Sequence, residues 1–144
     1  MFTYRFKGLF MQYQAVLPIL GFHDVRRYEL EPVDEIFYRL KNLDGESPSF
    51  TLIQPAALRD DYAFDLPESA AKALELTKEE DALVLNLMIL DTPLENSHVN
   101  FIAPLVFNTA NGRMGQVVLD AARYPGYGLA DPLKNFLAHE KDAS

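Results

Sequence analysis

The chain has 144 residues, 49% of them apolar, and no cysteine, so disulfide scaffolds, thiolate zinc sites, iron–sulfur clusters and cysteine nucleophiles are excluded together. Thirteen Lys and Arg stand against 21 Asp and Glu, a net charge of −8. With the basic residues scattered and only Arg26 and Arg27 adjacent, no cationic face for direct contact with nucleic acid is expected. The length suits one ordinary domain with a single core.

The first ten residues, MFTYRFKGLF, hold five aromatic or leucine side chains. They precede a second methionine, Met11, and are expected to form an N-terminal extension, with residues 11–144 as the single domain. The apolar run from Phe2 to Leu20 is interrupted by Arg5, Lys7, Gln12 and Gln14, so it is too broken to cross a membrane. Residues 27–30 alternate loosely and predict a strand. A β-prone run at 49–53 ends before Pro55, and 61–66 places Tyr62, Phe64 and Leu66 on one face, each a further predicted strand.

Pro67 followed by ESAAKALEL predicts a helix of two to three turns with Pro67 at its first position. Thr77, with Glu80 three residues on, matches a capping box and predicts one further turn. The stretch 82–90, ALVLNLMIL, is nearly all apolar and reads as a central strand covered on both faces. Another strand is predicted at 98–103, where Pro104 calls for a bulge, a bend or an edge, because proline cannot donate to a ladder. LVFNT and RMGQVVL flank Ala110, Asn111 and Gly112, which predicts a hairpin, since Asn-Gly tolerates the positive φ angles of a tight turn. Near the end, Asp131 is placed to cap a helix with Pro132 at its first position and Leu133, Phe136 and Leu137 on one face. Eight or nine short strands with a few short helices predict a mostly β fold, a small antiparallel β-barrel or barrel-like sandwich.

Groups that could do chemistry do not converge. His23, His98 and His139 lack the spacing of metal ligands on a helix. Ser97 and His98 are neighbours on a strand and so point to opposite faces. Glu79, Glu80 and Asp81, like Asp60 and Asp61, read as solvated turns, because the alternating oxygen ligands and central glycine of a calcium loop are missing. Gly112 and Gly115 follow a strand with no helix behind them and do not make a phosphate cradle. Tyr124 and Tyr127, in the loop YPGYG, are candidates either for a recognition surface or for a loop plug of the tyrosine-corner kind. These readings describe a soluble acidic binding domain, with no catalytic residue, metal or cofactor expected.

The segment VNFIAPLVFNTANGRMGQVVLDAARYP, from Val99 to Pro125, resembles the flagellar assembly factor FliW family. It carries that family's Val-Asn, Ala-Pro, an apolar triplet, Asn, then Gln-Val-x-Leu-Asp and Tyr-Pro. GFHDVRRYELEPVD from Gly21, FTLIQP from Phe50, and Asp61-Tyr62 are similar as well. Gln54 stands where the family commonly has Asn, and GYGLADP replaces its frequent Arg-His-Pro after Tyr-Pro. The resemblance implies a cytoplasmic regulator that is no enzyme, binds flagellin or alternatively the RNA-binding translational regulator CsrA, antagonises repression of flagellin mRNA, and is a monomer when free. It singles out Asn100, Pro104 and Asn108, with Tyr124 from the loop, as residues shaping a protein-binding region. The rival expectation is a barrel that holds one small apolar molecule in its interior.

Overall fold

The computed structural model describes residues 12–46 and 48–137; the leader at 1–10 and His139 lie outside them. Nine strands follow in order: β1 Gln12–Leu17, β2 Arg27–Pro32, β3 Phe37–Asn42, β4 Ser49–Ile53, β5 Ala82–Ile89, β6 His98–Val99, β7 Leu105–Asn108, β8 Arg113–Gln116 and β9 Asp131–Pro132. β4 pairs with β5 as well as β3, so β1, β2, β3, β4, β5, β7 and β8 close a seven-stranded barrel. The fold is the mostly β barrel expected, with one qualification. An odd number of strands cannot alternate direction all the way around a ring, and the joint falls between β1 and β8, which run parallel.

That joint is tight. The register slips between Ala15 and Leu17, and a Cβ on Gly115 would stand 2.4 Å from the Leu17 Cβ, closer than side-chain atoms pack. Glycine is required there so that the two backbones can approach. Gly112, at φ 78°, supplies the positive φ that the β7–β8 turn needs, as the Asn-Gly pair predicts.

Alternation sorts the strands into an inner and an outer face. Tyr13, Tyr28, Leu30, Leu40, Leu52, Leu85, Leu105, Phe107 and Met114 fill the barrel, where Tyr13 and Phe107 meet edge on at 4.9 Å. The ligand-barrel expectation needs an open interior, and these side chains occupy it. On β2 and β3 the outer face is polar: Glu31 pairs with both Arg39 at 3.3 Å and Lys41 at 3.2 Å. On β5 and β7 it is covered, and carries Ala82, Val84 and Val106 with the buried amides Asn86 and Asn108.

The cover includes α1, Glu68–Leu74, which packs Ala70 and Leu74 on Ile102, Val106, Val117 and Leu119. Pro67 stands at its N-cap, one position before the place the sequence suggests. Thr77 does not cap the next turn. That turn is the 3₁₀ segment Glu79–Asp81 with Lys78 at its N-cap and no side-chain cap bond, so Thr77 lies one residue too early.

Three predicted elements are corrected. Residues 61–66 keep their alternation, with Tyr62, Phe64 and Leu66 half-buried, but join no ladder. The strand at 98–103 stops at Val99, because Asn100 turns the chain by accepting the Ala103 N–H on its Oδ1 at 2.9 Å. Asp131 and Pro132 do not open a helix. They pair with Val99 and His98 as β9, and helical backbone begins only at 134, with Leu133 buried against Phe101 and Val99.

Candidate protein-interaction surface

The chain from 54 to 81 joins β4 to β5 across the outside of the barrel. It carries eight carboxylates against Arg59, Lys72 and Lys78, a net of −5 out of the total of −8. The negative charge is therefore gathered, and on the same connection that covers the apolar face.

What holds that connection is a set of aromatic residues and amides. The Tyr62 hydroxyl donates to the Phe101 carbonyl at 2.6 Å and accepts from Asn86 Nδ2 at 3.2 Å, while the same Nδ2 donates to the Asn100 carbonyl at 2.8 Å. Burial pushes the Tyr62 hydroxyl up to about 12. The Arg59 guanidinium lies over three rings, Tyr127 at 4.9 Å, Phe101 at 5.1 Å and Phe136 at 5.4 Å, and donates to the Gly126 carbonyl at 3.1 Å. Desolvated stacking of this kind ties three separate segments to one cation.

The two loop tyrosines complete the clamp. Tyr127 accepts the Ala63 N–H at 3.0 Å and donates to the Ala63 carbonyl at 2.8 Å, and Tyr124 accepts the Asp65 N–H at 2.9 Å. Their rings stack 5.5 Å apart with 2° between planes, and Arg123 lies over Tyr124 while pairing with Asp65. Side-chain hydroxyls thus replace the strand partner that residues 61–66 lack.

A cleft of about 680 Å³ opens between this connection and the barrel wall. Ala82, Val84 and Val106 line it from the sheet, Phe64, Leu66 and Leu76 from the connection, and Asp65, Lys78 and Glu79 at its edge. A second cleft, of about 670 Å³, lies beside Gln12, Gln14, Arg26, Arg27 and Asp44. The first is floored by residues of the outer apolar cluster, so it lies outside the barrel.

The residues singled out from sequence take distinct places. Asn100 shapes the turn after β6, beside Asn86 and Tyr62. Pro104 is buried directly before β7 and accepts the Val117 N–H at 2.9 Å. Asn108 is 2% exposed and closes the C-terminal end of α1, donating to the Leu74 and Glu75 carbonyls at 2.9 and 3.1 Å. Asn111 and Arg113 of the same hairpin add bonds to Leu74 and Ala73. Tyr124 alone of the four is in the clamp beside the cleft edge. Ser97 stands before β6 and not on it, closing the turn Leu94–Asn96, and its buried hydroxyl accepts the Asp91 N–H at 2.9 Å. Among the described residues no group of three or more His, Asp or Glu is placed to hold a metal, and no helix is long and apolar enough to cross a membrane.

Arg59 and Asn86 carry no local signal in the sequence, because their partners come from chain segments far away. Gln54 did stand out, and its Nε2 donates to the Tyr38 hydroxyl at 3.1 Å.

Comparison with known proteins agrees with the resemblance in the sequence. A family model described as FliW protein matches residues 12–130. A flagellar assembly factor FliW 2 of Wolinella succinogenes is 48% identical over 126 residues, spanning 88% of this chain and 92% of its own length. The flagellar assembly factor FliW of Campylobacter lari is 38% identical over 131 residues, with 91% and 100% covered, and that of Sulfurimonas denitrificans 40% over 127 residues, with 88% and 98% covered. A crystal structure of a flagellar assembly factor FliW shares the fold at a TM-score of 0.78 and 23% identity, covering 85% of both chains.

Proposed function

The chain belongs to the FliW family, and on that premise we propose that this flagellar assembly factor works by stoichiometric binding rather than catalysis, in the cytoplasm, as a monomer when free. It holds flagellin or, alternately, CsrA, and by capturing CsrA relieves repression of flagellin mRNA translation without touching the RNA itself. The observation that carries this reading is the gathered charge: a net of −5 lies on the 54–81 connection. An RNA-binding protein must present a basic surface, which such a face attracts. Once bound beside the RNA site, the same carboxylates repel incoming phosphates within a screening length of about 8 Å.

Asn100, Pro104, Asn108 and Tyr124 fit this scheme as residues that fix the shape of the face. A pull-down with this chain from the source cell is expected to recover flagellin and CsrA, and recovery of neither would sink the reading. If added salt leaves both CsrA affinity and the inhibition of RNA binding unchanged, electrostatic exclusion is wrong. Loss of flagellin binding on deletion of its C-terminal helix is expected, with that amphipathic segment laid in an apolar groove.

A further inference from the structure

We infer that the cleft outside β5 receives an extended, basic segment of a partner protein, laid beside residues 82–85 as an added strand; this rests on the reading of the chain as a protein binder. The strand edge is open there. β4 pairs only with 86–88 of β5, so among the described residues the first half of β5 has β7 on one side and no strand on the other. The Asp81 carbonyl accepts the Thr109 N–H at 2.8 Å, which sets the alternation: main-chain groups of odd-numbered residues face β7, and those of Val84 face the cleft.

An open strand edge suits an extended chain, whose N–H and C=O groups are free to bond, and not a helix, whose own are already paired. Alternate side chains of that segment would lie on the inner face beside Leu83 and Leu85. The others, on the outer face, would run over Phe64, Leu66 and Leu76 and end past Glu79, with Glu80 and Asp81 in the same turn. Among the described residues none of these three carboxylates joins an ion pair, and Lys78 is the one cation lining the cleft. Lysine or arginine at the outward positions complements that balance.

The test uses a labelled peptide, acetyl-KVKVKVK-amide, titrated by fluorescence anisotropy into the full chain, with acetyl-EVEVEVE-amide as its charge-reversed control. The lysine peptide is expected to bind about tenfold or more tightly than the control, and to slow hydrogen exchange at the Val84 amide. Ala82→Trp fills the cleft, and the double variant Glu79→Lys, Glu80→Lys reverses its edge on exposed positions that pack nothing. Each is expected to weaken the peptide about fivefold or more, with thermal unfolding checked to show the fold retained. Equal binding of the two peptides, no binding of either, or both folded variants binding like wild type overturns the inference. Titrating flagellin and CsrA into the same proteins separates the two readings. If both proteins bind wild type and variants alike, the cleft inference falls and the function stands. If the peptide behaves as expected and neither protein binds, the function falls and the cleft stands.

Discussion

At the scale of single residues, the most informative side chains are those that satisfy other segments' backbone. Asn108 is the clearest case: Asn108→Ala removes the side-chain donor to the Glu75 carbonyl and leaves the Leu74 carbonyl with Asn111 alone, and a loss of about 1–3 kcal/mol is expected in chemical denaturation. Gly115→Ala is expected to cost about as much or to prevent folding, since the new methyl must displace the Leu17 backbone. Tyrosine ionisation gives a third check. Burial pushes the hydroxyls of Tyr28 and Tyr62 up to about 12 from an ordinary 10.0. A group whose folded value lies above its unfolded one contributes stability that is complete below the unfolded value and is lost as pH rises through the folded one. The denaturation midpoint is therefore expected to fall between pH 10 and 12, together with the appearance of tyrosinate absorbance. Asn108 could be picked from the sequence because it is a position of the motif that carries the family resemblance. Its task could not, since α1 lies 33 or more residues away. Arg59 left no trace for the same reason, its three rings being contributed by 101, 127 and 136.

Among elements, α1 shows how little intrinsic propensity decides. Seven residues are too few for a helix to persist alone in water, so it exists because Ala70 and Leu74 are buried on the barrel and because the β7–β8 hairpin bonds its last turn. Leu74→Ala is accordingly expected to destabilise the whole protein by about 2–5 kcal/mol in the same denaturation assay. The helix was legible from Pro67 and the run of helix formers, and β4, β5 and the hairpin from their apolar runs. β9 was not, because a two-residue strand has no period to read and the Asp-Pro pair is also a good helix start. The 61–66 segment misled in the opposite sense: its alternation is that of a strand, yet its main chain is held by tyrosine hydroxyls.

Across the whole molecule, the barrel follows from the number and shortness of the strands, whereas the placement of charge does not follow from net charge at all. With most of the excess on one connection, association with a basic partner should depend steeply on salt. Going from about 0.1 M to about 1 M shortens the screening length from about 10 Å to about 3 Å, and the proposed capture of CsrA is expected to slow about tenfold or more in stopped-flow mixing. The parallel joint between β1 and β8 has a different consequence, one that concerns synthesis. Every other neighbouring pair in the ring is made from strands already close in sequence or joined through β5, but the seal pairs Gln14 with Arg113. A nascent chain therefore carries β1 as an unsatisfied edge until β8 has left the ribosome, and such edges invite pairing with other chains. Ribosome-bound fragments that end before β8 should accordingly depend on chaperones, and release from that dependence should coincide with the emergence of Gln116.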